Sequence, residues 1–85
     1  MSSKRLHLTP GEIVFREGDP PTSAYLVESG EIEILTVKEG VPMVLSVLGP
    51  GDLLGEMAVI DDAPRTATAR AMGDARLIEV ARAQL

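Results

Sequence analysis

Apolar and polar residues alternate in short runs along this chain, and turn signals separate the runs. Ile13 and Phe15 alternate with Glu12, Val14 and Arg16, and Ile32 and Ile34 alternate with Glu31 and Glu33. A period of two over a few residues is the pattern of a half-buried strand. Residues 44–48 and 76–81 are β-branched or apolar for most of their length and read as further strands. Thr66, Thr68 and Arg70 alternate with Ala67, Ala69 and Ala71, so one face there is all alanine and admits close approach by a ligand or another element. Punctuation falls at Thr9-Pro10-Gly11, Gly18-Asp19-Pro20-Pro21, Ser29-Gly30, Glu39-Gly40, Gly49-Pro50-Gly51, Asp61-Asp62-Ala63-Pro64 and Gly73-Asp74. Short strands at such spacing predict an all-β sandwich or barrel.

Residues 53–59 break the pattern. They show no alternation and follow Asp52, an N-cap residue type, which predicts a single helical turn. Residues 82–85 read as the start of a C-terminal helix that is left short. Together these features predict a mainly β fold: a small antiparallel jelly-roll (double-stranded β-helix) barrel, interrupted once by the helical turn. With 85 residues, the expectation is a single domain over 1–85.

Composition narrows the function classes. The net charge of −5 argues against direct nucleic-acid binding, because Lys4-Arg5 is the only adjacent basic pair and two residues make no patch. With no cysteine there is no disulfide, thiol nucleophile or thiolate metal site. No apolar run reaches the roughly 18 residues of a membrane span, and the N-terminus lacks a signal-peptide core. A cytoplasmic protein is the expectation. His7 is the only histidine, so neither a metal site nor a Ser-His-Asp arrangement is predicted. The glycines match neither the P-loop nor the dinucleotide pattern. No enzymatic activity is expected. Glu31, Glu33 and Glu39 are expected to form a solvated acidic face.

The chemistry concentrates in Gly55-Glu56-Met57-Ala58 and in Pro64-Arg65-Thr66-Ala67-Thr68. A carboxylate can accept from a sugar hydroxyl, and a guanidinium can grip a phosphate. A nucleotide monophosphate presents both groups. The whole stretch 51–71, from Gly51-Asp52-Leu53-Leu54-Gly55-Glu56 to Ala67-Thr68-Ala69-Arg70-Ala71, resembles the phosphate-binding cassette of the cyclic nucleotide-binding domain. That family includes catabolite-activator-like transcription factors, regulatory subunits of cyclic-nucleotide-dependent kinases and gated ion channels. Upstream, Glu12-Ile13-Val14-Phe15-Arg16-Glu17-Gly18-Asp19 and residues 24–34 resemble the family's early strands and glycine turns, so the likeness covers residues 8–82.

The resemblance implies a regulatory module that binds cAMP or cGMP without a metal or other cofactor, and that signals to an output element outside this chain. Its ligand-binding set is Gly55, Glu56, Met57, Ala58, Arg65, Thr66 and Ala67. Arg65 and the backbone N–H groups of Ala58 and Thr66 would take the phosphate, and Glu56 the ribose 2′-hydroxyl. The absence of a Cβ at Gly55 would let backbone come close to the ligand. Threonine at position 66 occurs in both cAMP and cGMP responders, so the base stays open. Val44, Leu45 and Val47 are candidates to line the base. The chain departs from many members in having Leu54 before the Gly-Glu pair, where they have phenylalanine. Most of the flanking helices and the C-terminal lid helix that the family carries are also missing from residues 1–85. The competing expectation is a protein–protein or oligomerisation module, as a homodimer or against an output domain, that keeps the barrel and no longer binds nucleotide.

Overall fold

The computed structural model describes residues 4–85. Eight strands form: β1 (Arg5–Leu8), β2 (Ile13–Phe15), β3 (Ser23–Ser29), β4 (Ile32–Lys38), β5 (Val41–Leu48), β6 (Leu53–Leu54), β7 (Thr68–Ala71) and β8 (Ala75–Ala81). One short helix, α1 (Glu56–Asp61), lies between β6 and β7. The strands make two four-stranded sheets in the orders β1-β8-β3-β6 and β2-β7-β4-β5. Every pairing among the described residues is antiparallel and stays within one sheet. The mainly β jelly-roll architecture is therefore present, but as two facing sheets and not as the closed barrel expected. Two of the four edge strands, β6 and β2, are only two and three residues long. Gly55 turns the chain into α1 after only two residues of β6, and the turn at Gly18 follows only three residues of β2.

The core lies between the sheets. Tyr25, Val27, Leu54 and Leu77 from one sheet meet Ile32, Ala69 and Ala71 from the other. The alanine face reads from sequence as it stands in the structure: Ala67, Ala69 and Ala71 are all buried. Small side chains there let β7 sit centrally between β2 and β4 while the larger residues of the opposite sheet fill the space.

Two strands depart from simple alternation, each at a bulge. In β2 the register slips between Ile13 and Phe15, and it is Val14 and Phe15 that pack against the core. In β4–β5 the slip falls between Ile34 and Leu35, so Leu45 is the extra residue and Leu35 becomes buried alongside Ile32. A bulge bends a strand and re-aims its side chains, which periodicity alone does not signal. Glu33 also departs from the solvated face expected of it. Its carboxylate accepts from Nε of Arg70 at 2.7 Å and from Nη2 of the same guanidinium, and its side chain is only 14% exposed.

The predicted helical turn is shifted. Residues 53 and 54 pair with β3 as a strand, and the helix begins at Glu56 with Gly55 as its N-cap. Asp52 is not the cap. Its carboxylate accepts from the Gly49 N–H at 2.8 Å and closes the preceding turn, the alternative use of an aspartate before a helix. At the other end of the chain, Arg82–Gln84 forms one 3-10 turn. Among the described residues, no helix is long and apolar enough to cross a membrane.

Gly30 joins β3 to β4 with φ +82°, and a Cβ there would lie 2.8 Å from the Ala75 Cα of β8. Gly40, at the β4–β5 turn, has φ +78° with open space around it. Alanine at Gly40 should cost only the left-handed backbone penalty of about 1–2 kcal/mol. Alanine at Gly30 should add a backbone clash with β8, and its thermal midpoint should fall further by roughly 5 °C or more. Equal midpoints for Gly30→Ala and Gly40→Ala in circular-dichroism melts would contradict this packing.

Candidate functional site

The site grows from the connection between β6 and β7. Gly55 adopts φ +78°, a conformation that side chains disfavour, and this reverses the chain out of the sheet into α1. Val59, fully buried, anchors the helix. Asp62 ends it in the left-handed region at φ +53°, and its N–H caps the carbonyls of Ala58 and Val59. Ala63 adds a bond from its N–H to the Ala58 carbonyl at 3.0 Å. The chain then runs through Pro64 to Arg65.

Backbone holds Arg65 from outside the cassette. Its N–H donates to the Asp19 carbonyl at 2.9 Å, and its carbonyl accepts from the Gly18 N–H at 2.8 Å. The Gly18-Asp19 turn is itself braced, because the Asp19 carboxylate accepts from the Arg16 N–H at 3.0 Å. The turn signal and the arginine, 46 residues apart in sequence between Asp19 and Arg65, thus become one structural unit.

The Arg65 side chain points inward and is only 3% exposed. Nη1 donates to the Gly55 carbonyl at 2.8 Å, and Nη2 donates to the Ser23 carbonyl. One face of the guanidinium lies over the Phe15 ring, with Cζ 4.1 Å from the ring centroid. Nε is buried and has no hydrogen-bond partner among the described residues. Among the described residues no carboxylate lies within ion-pair distance of Arg65. Asp61 does not pair with it, and Asp62 binds Arg82 at 3.2 Å instead. Burial pulls the Arg65 pKa below the ordinary arginine range, opposed by the nearby Tyr25 and Asp19. Burial likewise raises the Tyr25 phenol, with Glu79 adding to the rise and Arg65 working against it.

Beside this guanidinium lies an open cleft of about 260 Å³. All seven residues singled out from sequence line it: Gly55, Glu56, Met57, Ala58, Arg65, Thr66 and Ala67. Glu56 is half-buried at the start of α1, and among the described residues its carboxylate has no hydrogen-bond or ion-pair partner. Thr66 and Met57 are exposed, whereas Ala67 is buried.

The apolar wall comes from other positions than expected. Val44, Leu45 and Val47 lie 45–55% exposed on β5, the outer edge of their sheet, and take no part in the cleft. Ile34, Leu48, Leu53, Leu54 and Phe15 line it instead. Phe15 is the only phenylalanine in the chain and, with Tyr25, one of its two aromatic residues in an otherwise aliphatic core.

The cyclic nucleotide-binding domain model matches residues 5–85. The chain is 44% identical over 64 residues to the acetyltransferase Pat of Mycolicibacterium smegmatis, covering 74% of this chain and 19% of that protein. It is 40% identical over 72 residues to the cAMP-dependent protein kinase regulatory subunit of Emericella nidulans, covering 85% of this chain and 17% of that one. It therefore spans under a fifth of either relative's length. Among solved structures, the EAL enzyme Bd1971 superimposes in its cGMP-bound form at TM-score 0.92 and in its cAMP-bound form at 0.91. Both are 37% identical and cover 95% of this chain and 22% of that one. With the cassette, the two-sheet fold and the matched model in agreement, this chain belongs to the cyclic nucleotide-binding domain family.

Proposed function

We propose that the cleft binds a cyclic nucleotide monophosphate, cAMP or cGMP, and that the bound state is passed to an output element elsewhere in the protein or its assembly. The observation that carries this reading is Arg65: a buried cation that, among the described residues, has no partner at Nε and no carboxylate within ion-pair distance, in the wall of an open cleft. A buried charge without a counter-ion is costly, and a ligand anion offsets that cost. The phosphate would meet the guanidinium and the backbone N–H groups of Ala58 and Thr66, and the ribose 2′-hydroxyl would donate to Glu56. Ile34, Leu48 and Leu53 offer the base an apolar surface. Related proteins bound to cAMP and to cGMP support the ligand class and leave both bases open. On this reading the module regulates and does not catalyse, needs no metal or other cofactor, and works in the cytoplasm.

Exposure of Val41, Met43, Val44, Leu45 and Val47 along the edge strand β5 favours a second reading, a module that binds a protein partner or a second copy through that edge. Concentration-dependent size by light scattering that nucleotide leaves unchanged would support it, provided the chain also fails to bind nucleotide.

Calorimetric titration separates the two. The parent chain should bind cAMP or cGMP saturably, and Arg65→Ala should lose at least about 30-fold in affinity, the cost of removing one partner of a buried charge pair. Circular dichroism must show that the variant is folded. Glu56→Ala should weaken cAMP about 10-fold or more, as expected for a hydrogen bond to a charged acceptor. It should also erase the parent's preference for cAMP over 2′-deoxy-cAMP. Unaltered titrations for both variants would remove these residues from the site.

A further inference from the structure

The bulge between Ile13 and Phe15 takes Phe15 off the regular alternation of β2 and into the cleft wall. β2 pairs with β7, the strand that follows Arg65, so the ring on β2 and the guanidinium on the segment leading into β7 approach each other. Tyr25 backs the Phe15 ring at 6.2 Å between centroids, tilted by 31°. Gly55 closes the remaining space: a Cβ there would lie 3.2 Å from Phe15 Cε2 and would strike Nη1 of Arg65. The guanidinium is thus fixed by carbonyls at Nη1 and Nη2 and by an aromatic face on one side. Nε has no hydrogen-bond partner among the described residues.

A leucine at position 15 would fill much of the same volume and keep the contact with the core. It would not offer the negative face of a π system to a cation. Aromatic character at Phe15 is therefore separable from its packing. We propose that Phe15 is a positioning residue for the nucleotide phosphate: its ring face holds the Arg65 guanidinium in place in the wall of the cleft. This inference rests on the nucleotide reading above, and it assigns a role outside the cassette to a strand residue that makes its contribution through Arg65.

The test compares parent, Phe15→Leu and Phe15→Tyr chains by calorimetric titration with cAMP and cGMP, together with 1H–15N spectra of the arginine Nε–H groups of the free proteins. Phe15→Leu should weaken the better ligand by about 3- to 30-fold, the range of a desolvated cation–π contact. Phe15→Tyr should stay within about 3-fold of the parent, because the ring is retained. The Arg65 Nε–H resonance should be displaced by the ring in the parent and the tyrosine variant, and should move toward the exposed arginines in the leucine variant. Unchanged affinity in Phe15→Leu, or equal losses in both variants, overturns the proposal while leaving the nucleotide reading in place. A parent chain silent toward both nucleotides overturns the nucleotide reading and, with it, the role of Phe15 in binding. An Arg65 resonance indifferent to Phe15→Leu overturns the placement of the guanidinium by the ring whether or not the chain binds.

Discussion

The rest of the site depends on a single buried guanidinium. Arg65 has almost no solvent contact, yet no carboxylate among the described residues lies within ion-pair distance of it. Two backbone carbonyls and a phenylalanine face hold it in place. Neutral acceptors stabilise a cation less than a carboxylate does, so the arrangement positions the charge without quenching it. A carboxylate at the same place would give a stronger pair and leave less attraction for a ligand.

Much of the local structure follows from that placement. Gly55 must be glycine on two counts, its positive φ and the guanidinium packed against its backbone, and its carbonyl is one of the two that hold Arg65. The Gly18-Asp19 turn grips the Arg65 backbone in both directions, which makes the loop between β2 and β3 part of the cassette. The buried alanines of β7 let the strand leave Arg65 and enter the middle of a sheet. Sheet, turn and helix thus converge on one side chain, and the cleft is the space that this convergence leaves open.

The sequence made some of this legible and concealed the rest for physical reasons. Turn residues and the alanine alternation show directly, because φ > 0 and small volume are properties of the residue types themselves. All seven cassette residues chosen from sequence do line one cleft, since the connection that brings them together is short and local. The bulges were not legible: the alternation of Ile13 with Phe15 looks regular, and only pairing with β7 shows the slip that turns Phe15 toward Arg65. Nor did composition distinguish the exposed valines of β5, which look like core, from the lining residues Ile34 and Leu48. Which strand ends at a sheet edge is decided by pairing, which one strand's sequence does not contain. Asp52 failed as a helix cap for a related reason, because the same carboxylate closes a turn equally well.

The most direct test follows the Arg65 Nε–H resonance of the parent chain while cAMP is added. If the guanidinium is the anion receptor described above, that resonance shifts strongly downfield and saturates with the calorimetric binding curve, as the guanidinium acquires a phosphate oxygen. A resonance that stays at its free position through saturating nucleotide would contradict the account, because it would leave the buried charge unanswered and place any binding elsewhere.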